Sequence, residues 1–227
     1  MSFPALQSLA SIEGLGWREV RAEAESMPVG IRQFDAFTGG CPRGQITEIT
    51  GSSSTGRTSL MHRVLSQAGA LGEYCAIVDT ADSFDPDSAA AAGVRLDSLV
   101  WVKCAGNAGH AMRSADLLIQ GGGFGVVVLD LCDVPVEATR RIPLSYWYRF
   151  RRAVESTCTI LLVLGREPHA KSCAALMTEV KRDRTEFSGA FPAKLLRKAE
   201  FQVTARKPYR KEPARFEASA IGPLPPL

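Results

Sequence analysis

At 227 residues and 45% hydrophobic content, the chain is long enough for one α/β domain with short additions at its ends, and apolar enough to bury a full core. That composition excludes disorder as the default state. No apolar run approaches ~20 residues, so no membrane span is expected, and the start lacks the basic-then-apolar order of a signal peptide.

Residues 1–26 read as an N-terminal arm or helix. Phe3, Leu6, Leu9 and Ile12 fall at helical spacing until Gly14 and Gly16 end the pattern. They form either a partner-binding face, laid as an apolar helix in a groove, or a helix packed on its own core. Residues 27–220 carry the main domain, and 221–227 form a proline-rich tail expected to be disordered. Ile31 to Phe37 reads as a short helix closed by Gly39-Gly40. Gln45 to Thr50 is a β-prone run, and Tyr74 to Asp79 and Gly125 to Asp130 are nearly continuous apolar runs, the pattern of buried parallel strands. Leu99 to Val102 and Thr159 to Leu164 are further strands. Helices are expected over 87–92, after Pro86, and over 107–120 and 145–156. In the last of these, Tyr146, Trp147 and Phe150 are interleaved with Arg149, Arg151 and Arg152. Arg166 to Arg184 reads as a basic, largely helical segment around Ala174, Leu176, Met177 and Val180. Phe201 to Ala205 and Arg215 to Ala220 alternate, which predicts an antiparallel C-terminal extension. The alternation of strands and helices gives an α/β fold with a mainly parallel sheet flanked by helices.

Charge and cysteine usage narrow the setting. The net charge is +3, but residues 1–100 hold 7 Lys/Arg against 12 Asp/Glu, and residues 166–227 hold 13 against 7. The basic end either meets an anionic partner or is a solvated face. Arg206, Lys207, Arg210 and Lys211, with Tyr209 among them, are the candidate DNA contacts, since cations can hold phosphates while an aromatic stacks on a base. The six cysteines are widely spaced, with no C-x-x-C pair. Cys75, Cys132 and Cys158 lie in or beside predicted strands, which suits reduced thiols in a cytoplasmic protein. His62, His110 and His169 are scattered singly and are not expected to be ligands.

The chemistry concentrates at Gly51-Ser52-Ser53-Ser54-Thr55-Gly56-Arg57-Thr58, between a strand and a helix. This is the order of a P-loop, G-x-x-x-x-G-K-[ST], with arginine in place of lysine. Glycines let backbone N–H groups turn toward phosphate oxygens, and the helix that follows presents its positive end. Gly51, Gly56, Arg57, Thr58 and Ser59 are therefore the candidate nucleotide-binding residues, for ATP or ADP with Mg²⁺. Guanidinium is longer, planar and forked, so the loop either holds a nucleotide that it hydrolyses poorly or has lost it. Val126 to Asp130 has the form of a Walker B strand, and Asp130 and Thr58 are the candidate Mg²⁺ positions.

Several segments, in order, resemble the RecA family over roughly residues 27–206. Gly40-Cys41-Pro42-Arg43-Gly44-Gln45-Ile46-Thr47-Glu48-Ile49 resembles the family's lead-in to the P-loop. Val78 to Pro86 is similar to its "IDAEHALDP" stretch, and Gly93-Val94 with Leu96 to Leu99 to the "GVD…NLL" that follows. The resemblance implies a RecA-like P-loop core. It also marks departures. Ala81 stands where the family carries the water-activating glutamate, with Asp82 beside it on a segment expected to be extended. Gly165-Arg166-Glu167 stands where the family has an Asn-Gln pair that senses the γ-phosphate.

Such an altered core resembles ImuA proteins, RecA-like accessories of bacterial mutagenesis cassettes, and more weakly SulA. That resemblance implies a non-catalytic, regulatory role in the DNA-damage (SOS) response, in DNA repair and translesion synthesis. The implied partners are an ImuB-like inactive Y-family polymerase homologue, and also RecA and an error-prone polymerase. Two other readings stand beside it: a weak P-loop ATPase using Asp82 or Glu48 as base, and a DNA-binding RecA paralogue.

Overall fold

The structure is a computed structural model that describes residues 25–189 and 195–219. The arm residues Phe3, Leu6, Leu9 and Ile12 and the tail lie outside that range.

Five parallel strands form the centre: β3 (Ile46–Thr50), β4 (Cys75–Asp79), β5 (Leu99–Lys103), β6 (Val126–Asp130) and β7 (Ile160–Gly165). They follow two short paired strands, β1 (Ser26–Met27) and β2 (Cys41–Pro42). Three longer strands, β8 (Leu176–Ser188), β9 (Leu195–Lys207) and β10 (Ala214–Ser219), complete an eight-stranded sheet in the order β10-β9-β8-β3-β7-β6-β4-β5. β8 enters parallel to β3, then pairs antiparallel with β9, which pairs antiparallel with β10.

Period-two alternation splits the core into two layers. Ile49, Ile77, Val128 and Leu162 face α2 (Arg57–Ala70), where Leu60, Val64 and Leu65 meet them. Ile46, Val78, Val127, Leu129 and Val163 face α4 (Ala108–Gly121) and α6 (Leu144–Glu155), which bury Met112, Trp147 and Phe150. Strands covered on both faces need continuous apolar runs, and β4, β6 and β7 supply them, whereas the edge strand β5 leaves Val100 and Trp101 exposed. The smaller helices are α1 (Arg32–Thr38), α3 (Pro86–Ala91) and α5 (Val136–Arg140). Their ends follow local chemistry. Gly39 closes α1 in the left-handed region, Asp85 caps α3 with Pro86 at its first position, and Asn107 caps α4 through the N–H of His110.

One expectation is corrected, and two features are added. The stretch 176–184 is strand, not helix: Leu176, Met177, Thr178 and Val180 are buried along β8, and β3 offers its open edge to them. Their spacing satisfied either period, and the pairing with β3 decided it. α5 was not anticipated. Cys158 is exposed, whereas the other five cysteines are buried. Burial pushes Cys41 and Cys75 up to about 12, so they behave as small apolar side chains rather than nucleophiles.

Candidate functional site

The loop from β3 to α2 turns at the C-terminal edge of the parallel strands, where such sheets place their ligand sites. A side chain at Gly51 would collide with the carbonyl oxygen of Val180 on β8. Gly56 has φ +86°, which favours glycine, and a Cβ there would lie 3.0 Å from the ring of Phe201. Phe201 stacks on Phe216 at 5.4 Å, so the antiparallel strands buttress the loop. Thr55 Oγ1 donates to the carbonyl of Ser52 at 2.8 Å and ties the turn to itself.

Arg57 lines the cavity beside the loop, but its guanidinium is anchored to the fold. Its side chain is buried, and Nη1 donates to the carbonyl oxygen of Gly165, at the end of β7, at 2.7 Å. The N–H of Gly51 reaches the same oxygen at 3.2 Å. The loop's cation is thus tied into the fold. Asp79, Asp82 and Asp130 each serve other donors. Asp79 accepts from the N–H groups of Ser83 and Phe84 and from Trp101 Nε1. Asp82 Oδ1 accepts from the N–H groups of Cys104 and Ala105 at 3.0 and 3.2 Å. Asp130 Oδ1 accepts from the N–H of Cys132 at 2.9 Å.

Thr58 and Asp130 do converge. Both line a cavity of about 170 Å³ with Arg57, Ser53, Ser54, Phe84 and Asp133. That has room for a phosphate and its ion, but it is small beside the ~300–1,000 Å³ of usual ligand pockets. Burial raises the Asp130 carboxyl above its ordinary range, and the charges of Asp79 and Asp133 add to the rise. Such a carboxylate gains from a cation, and Mg²⁺ binds by one or two carboxylates plus phosphate and water. The donor set therefore fits Mg²⁺ at Thr58 and Asp130, and the turn at Gly56 fits a phosphate. Ser59, on the exposed first turn of α2, is not part of this lining. Among the described residues no cluster of three His, Cys, Asp or Glu could hold a metal by protein ligands alone.

Further positions are marked by the family resemblance. Ala81 has no carboxylate. Asp82, expected on an extended segment, sits in a turn at φ +57°, its carboxylate held at the start of the loop after β5. Glu48 is fully buried three residues before the loop. Its Oε1 accepts from the N–H groups of His169 and Ala170, so it anchors the segment after β7 and is not placed to activate water. Burial raises its pKa to about 7. Arg166 turns back to the segment after β6, donating to the carbonyl of Cys132 at 2.8 Å and to Asp133 at 3.3 Å. Glu167 receives a two-pronged bond from Arg140, both contacts at 3.0 Å. Arg166 and Glu167 thus tie the segment after β7 to the stretch that follows β6. Phe201, Phe84 and this pair of clasps had no local sequence signal, because their partners are remote in the chain.

The DNA candidates lie together near the turn between β9 and β10, but three of the four have protein contacts. Arg206 pairs with Glu179, Lys207 Nζ donates to the carbonyl of Ser172 at 2.8 Å, and Arg210 lies 5.7 Å from the ring centre of Phe37. Lys211 and Tyr209 are exposed.

A strand running into a P-loop, with a parallel strand two places away in the sheet ending in aspartate, defines a P-loop α/β protein. The profile of the RecA N-terminal domain matches residues 8–138, more than half of the sequence, and the chain belongs to the RecA family. It is 33% identical over 122 residues to Protein RecA of Chloroflexus aurantiacus (strain ATCC 29366 / DSM 635 / J-10-fl), covering 53% of this chain and 34% of that protein. It is 38% identical over 123 residues to Protein RecA of Rhodospirillum centenum, with 53% and 34% covered. The match spans about a third of the length of these relatives. Among solved structures, the RadB recombinase superposes with a TM-score of 0.62 at 14% identity, covering 85% of this chain and 94% of that one. At that identity the likeness shows the fold: a mostly parallel central sheet flanked by helices, with antiparallel strands at the C-terminus.

Proposed function

We propose that this chain is a non-catalytic accessory of the ImuA kind, a RecA-family protein that works in the DNA-damage response and translesion mutagenesis through protein–protein contacts. The carrying observation is the arginine of the loop, buried against the Gly165 carbonyl. Lost base and sensor groups at positions 81, 165 and 166 support the same reading. Phosphoryl transfer depends almost wholly on positioning and electrostatics, and a missing general base alone costs ~10²–10⁴-fold. Its partners on this reading are an ImuB-like inactive Y-family polymerase homologue, with RecA and an error-prone polymerase. Mg-ATP or Mg-ADP, if held, is held at Gly56, Thr58 and Asp130 without turnover.

A steady-state ATPase assay tests the chemistry: the expected rate is background, and equal for the wild type and Asp130→Ala. A RecA-like rate abolished by Asp130→Ala overturns the reading. Nucleotide titration can be followed by Trp101 fluorescence, because that indole packs on Phe84 at 5.3 Å and Phe84 lines the cavity. Arg57→Ala should cost ~1.5–3 kcal/mol of stability, the range for a hydrogen bond to a charged group, without changing the rate. Co-purification with the ImuB-like protein tests the partner, and its failure with both proteins folded removes that part.

A further inference from the structure

The aromatic and arginine residues of α6 have no part in the phosphate site, which is on another part of the sheet. Trp147, Phe150 and Val154 turn inward and are buried. The outward side is not the all-charged surface usual for a solvated helix. Tyr148 is 48% exposed, and on the neighbouring helix α4 Leu117 is 73% exposed. Between the helices runs an open groove of about 550 Å³, lined by Gln120, Ser145, Tyr148, Arg149, Arg152 and Ala153. Leu117 and Arg113 share the outer face of α4 with Gln120, by the spacing of three and four residues that brings helix side chains together.

We propose that this groove docks an acidic amphipathic segment of a partner protein, with an apolar side chain against Leu117 and Tyr148 and carboxylates toward Arg149 and Arg152. Charge complementarity carries the choice of occupant. Arg149 is already fixed: its Nε donates to Asp116 at 2.9 Å and its guanidinium lies 4.5 Å from the ring centre of Tyr146, yet the side chain is still 48% exposed. An ordered arginine gives up less freedom when a carboxylate arrives. Arg152 and Arg113 are exposed beside it. Tyrosine and arginine beside apolar surface is the composition of interface hot spots. Nucleic acid suits the groove less well, because phosphate gains nothing from the exposed Leu117. The proposal goes beyond the reading of the phosphate site and does not depend on it.

The test uses the full chain and a fluorescein-labelled synthetic peptide with leucines on one side of a helix and glutamates on the other, read by anisotropy. The expected result is saturable binding weakened about tenfold or more by Tyr148→Ala and by Arg152→Glu, the scale of hot-spot truncation. Melting temperatures should stay unchanged, because both side chains are exposed. A peptide with lysine for glutamate should not bind the wild type. No binding at millimolar peptide, equal binding by the variants, or equal binding of the lysine peptide overturns the proposal. So does a single-stranded oligonucleotide that displaces the peptide and shows the same mutational sensitivity, which would make the groove a nucleic-acid site. Concentration-dependent self-association abolished by Tyr148→Ala would assign it instead to a second copy, and also overturns it.

Discussion

The two parts of the sheet reach order by different physics. The parallel strands β3, β4, β6 and β7 are covered on both faces and are held by apolar burial. The antiparallel wing, β8 to β10, is buried on one side through Val180, Val203, Phe201 and Phe216. Its other residues form a ladder of opposite charges: Arg206 and Lys181 with Glu179, Lys198 with Glu200 and Glu217, and Arg215 with Asp183. A basic count in the sequence therefore becomes a mixed-sign surface in the fold. Excess charge read from composition is a poor guide to an anion site when neighbouring strands carry the counter-charges. It is also why the candidate DNA contacts do not enter the proposed function.

Three measurements would break or sharpen this contrast. The largest effect belongs to the centre: Leu162→Ala, in the middle of β7 and fully buried, should cost ~2–5 kcal/mol in denaturant unfolding. A loss near zero would mean that the centre is not the main source of stability. Next comes Glu48. Its folded pKa, about 7, lies above the ordinary value of 4.5 because burial disfavours the ionised form. The group's contribution to stability is therefore fully present below about pH 4.5. It is lost as pH rises toward 7, by on the order of 3 kcal/mol. Glu48→Gln should flatten this part of the pH–stability curve, and an unchanged slope in the variant would assign it to another group. The smallest effect is in the wing: Arg206→Ala should cost less than ~1 kcal/mol, as half-exposed ion pairs do, and should fade further in salt.

The centre was legible before the fold was seen, since Cys75 to Asp79 and Val126 to Asp130 are apolar runs that suit little else. So were the loop between Gly51 and Thr58 and the antiparallel β9 and β10. β8 was misread, because its apolar residues allow a helical period and its partner strand, β3, lies more than a hundred residues earlier. Asp82 was misread because its turn is set by two N–H groups on the far side of β5. The site itself was only half legible. Spacing marks where Thr58 and Asp130 belong, but no local pattern tells that the Arg57 side chain goes to a carbonyl on another strand.

The contact between Arg57 and Gly165 also limits what these two positions accept. Lysine at 57 would leave the guanidinium's place unfilled and offer one nitrogen where a fork is seated. A side chain at 165 would put its Cβ 2.7 Å from the His169 ring, and that ring is stacked on Trp147. Each of these changes is therefore expected to lower stability by itself, so the packing around β7 restrains which residues positions 57 and 165 accept, independently of what the loop binds.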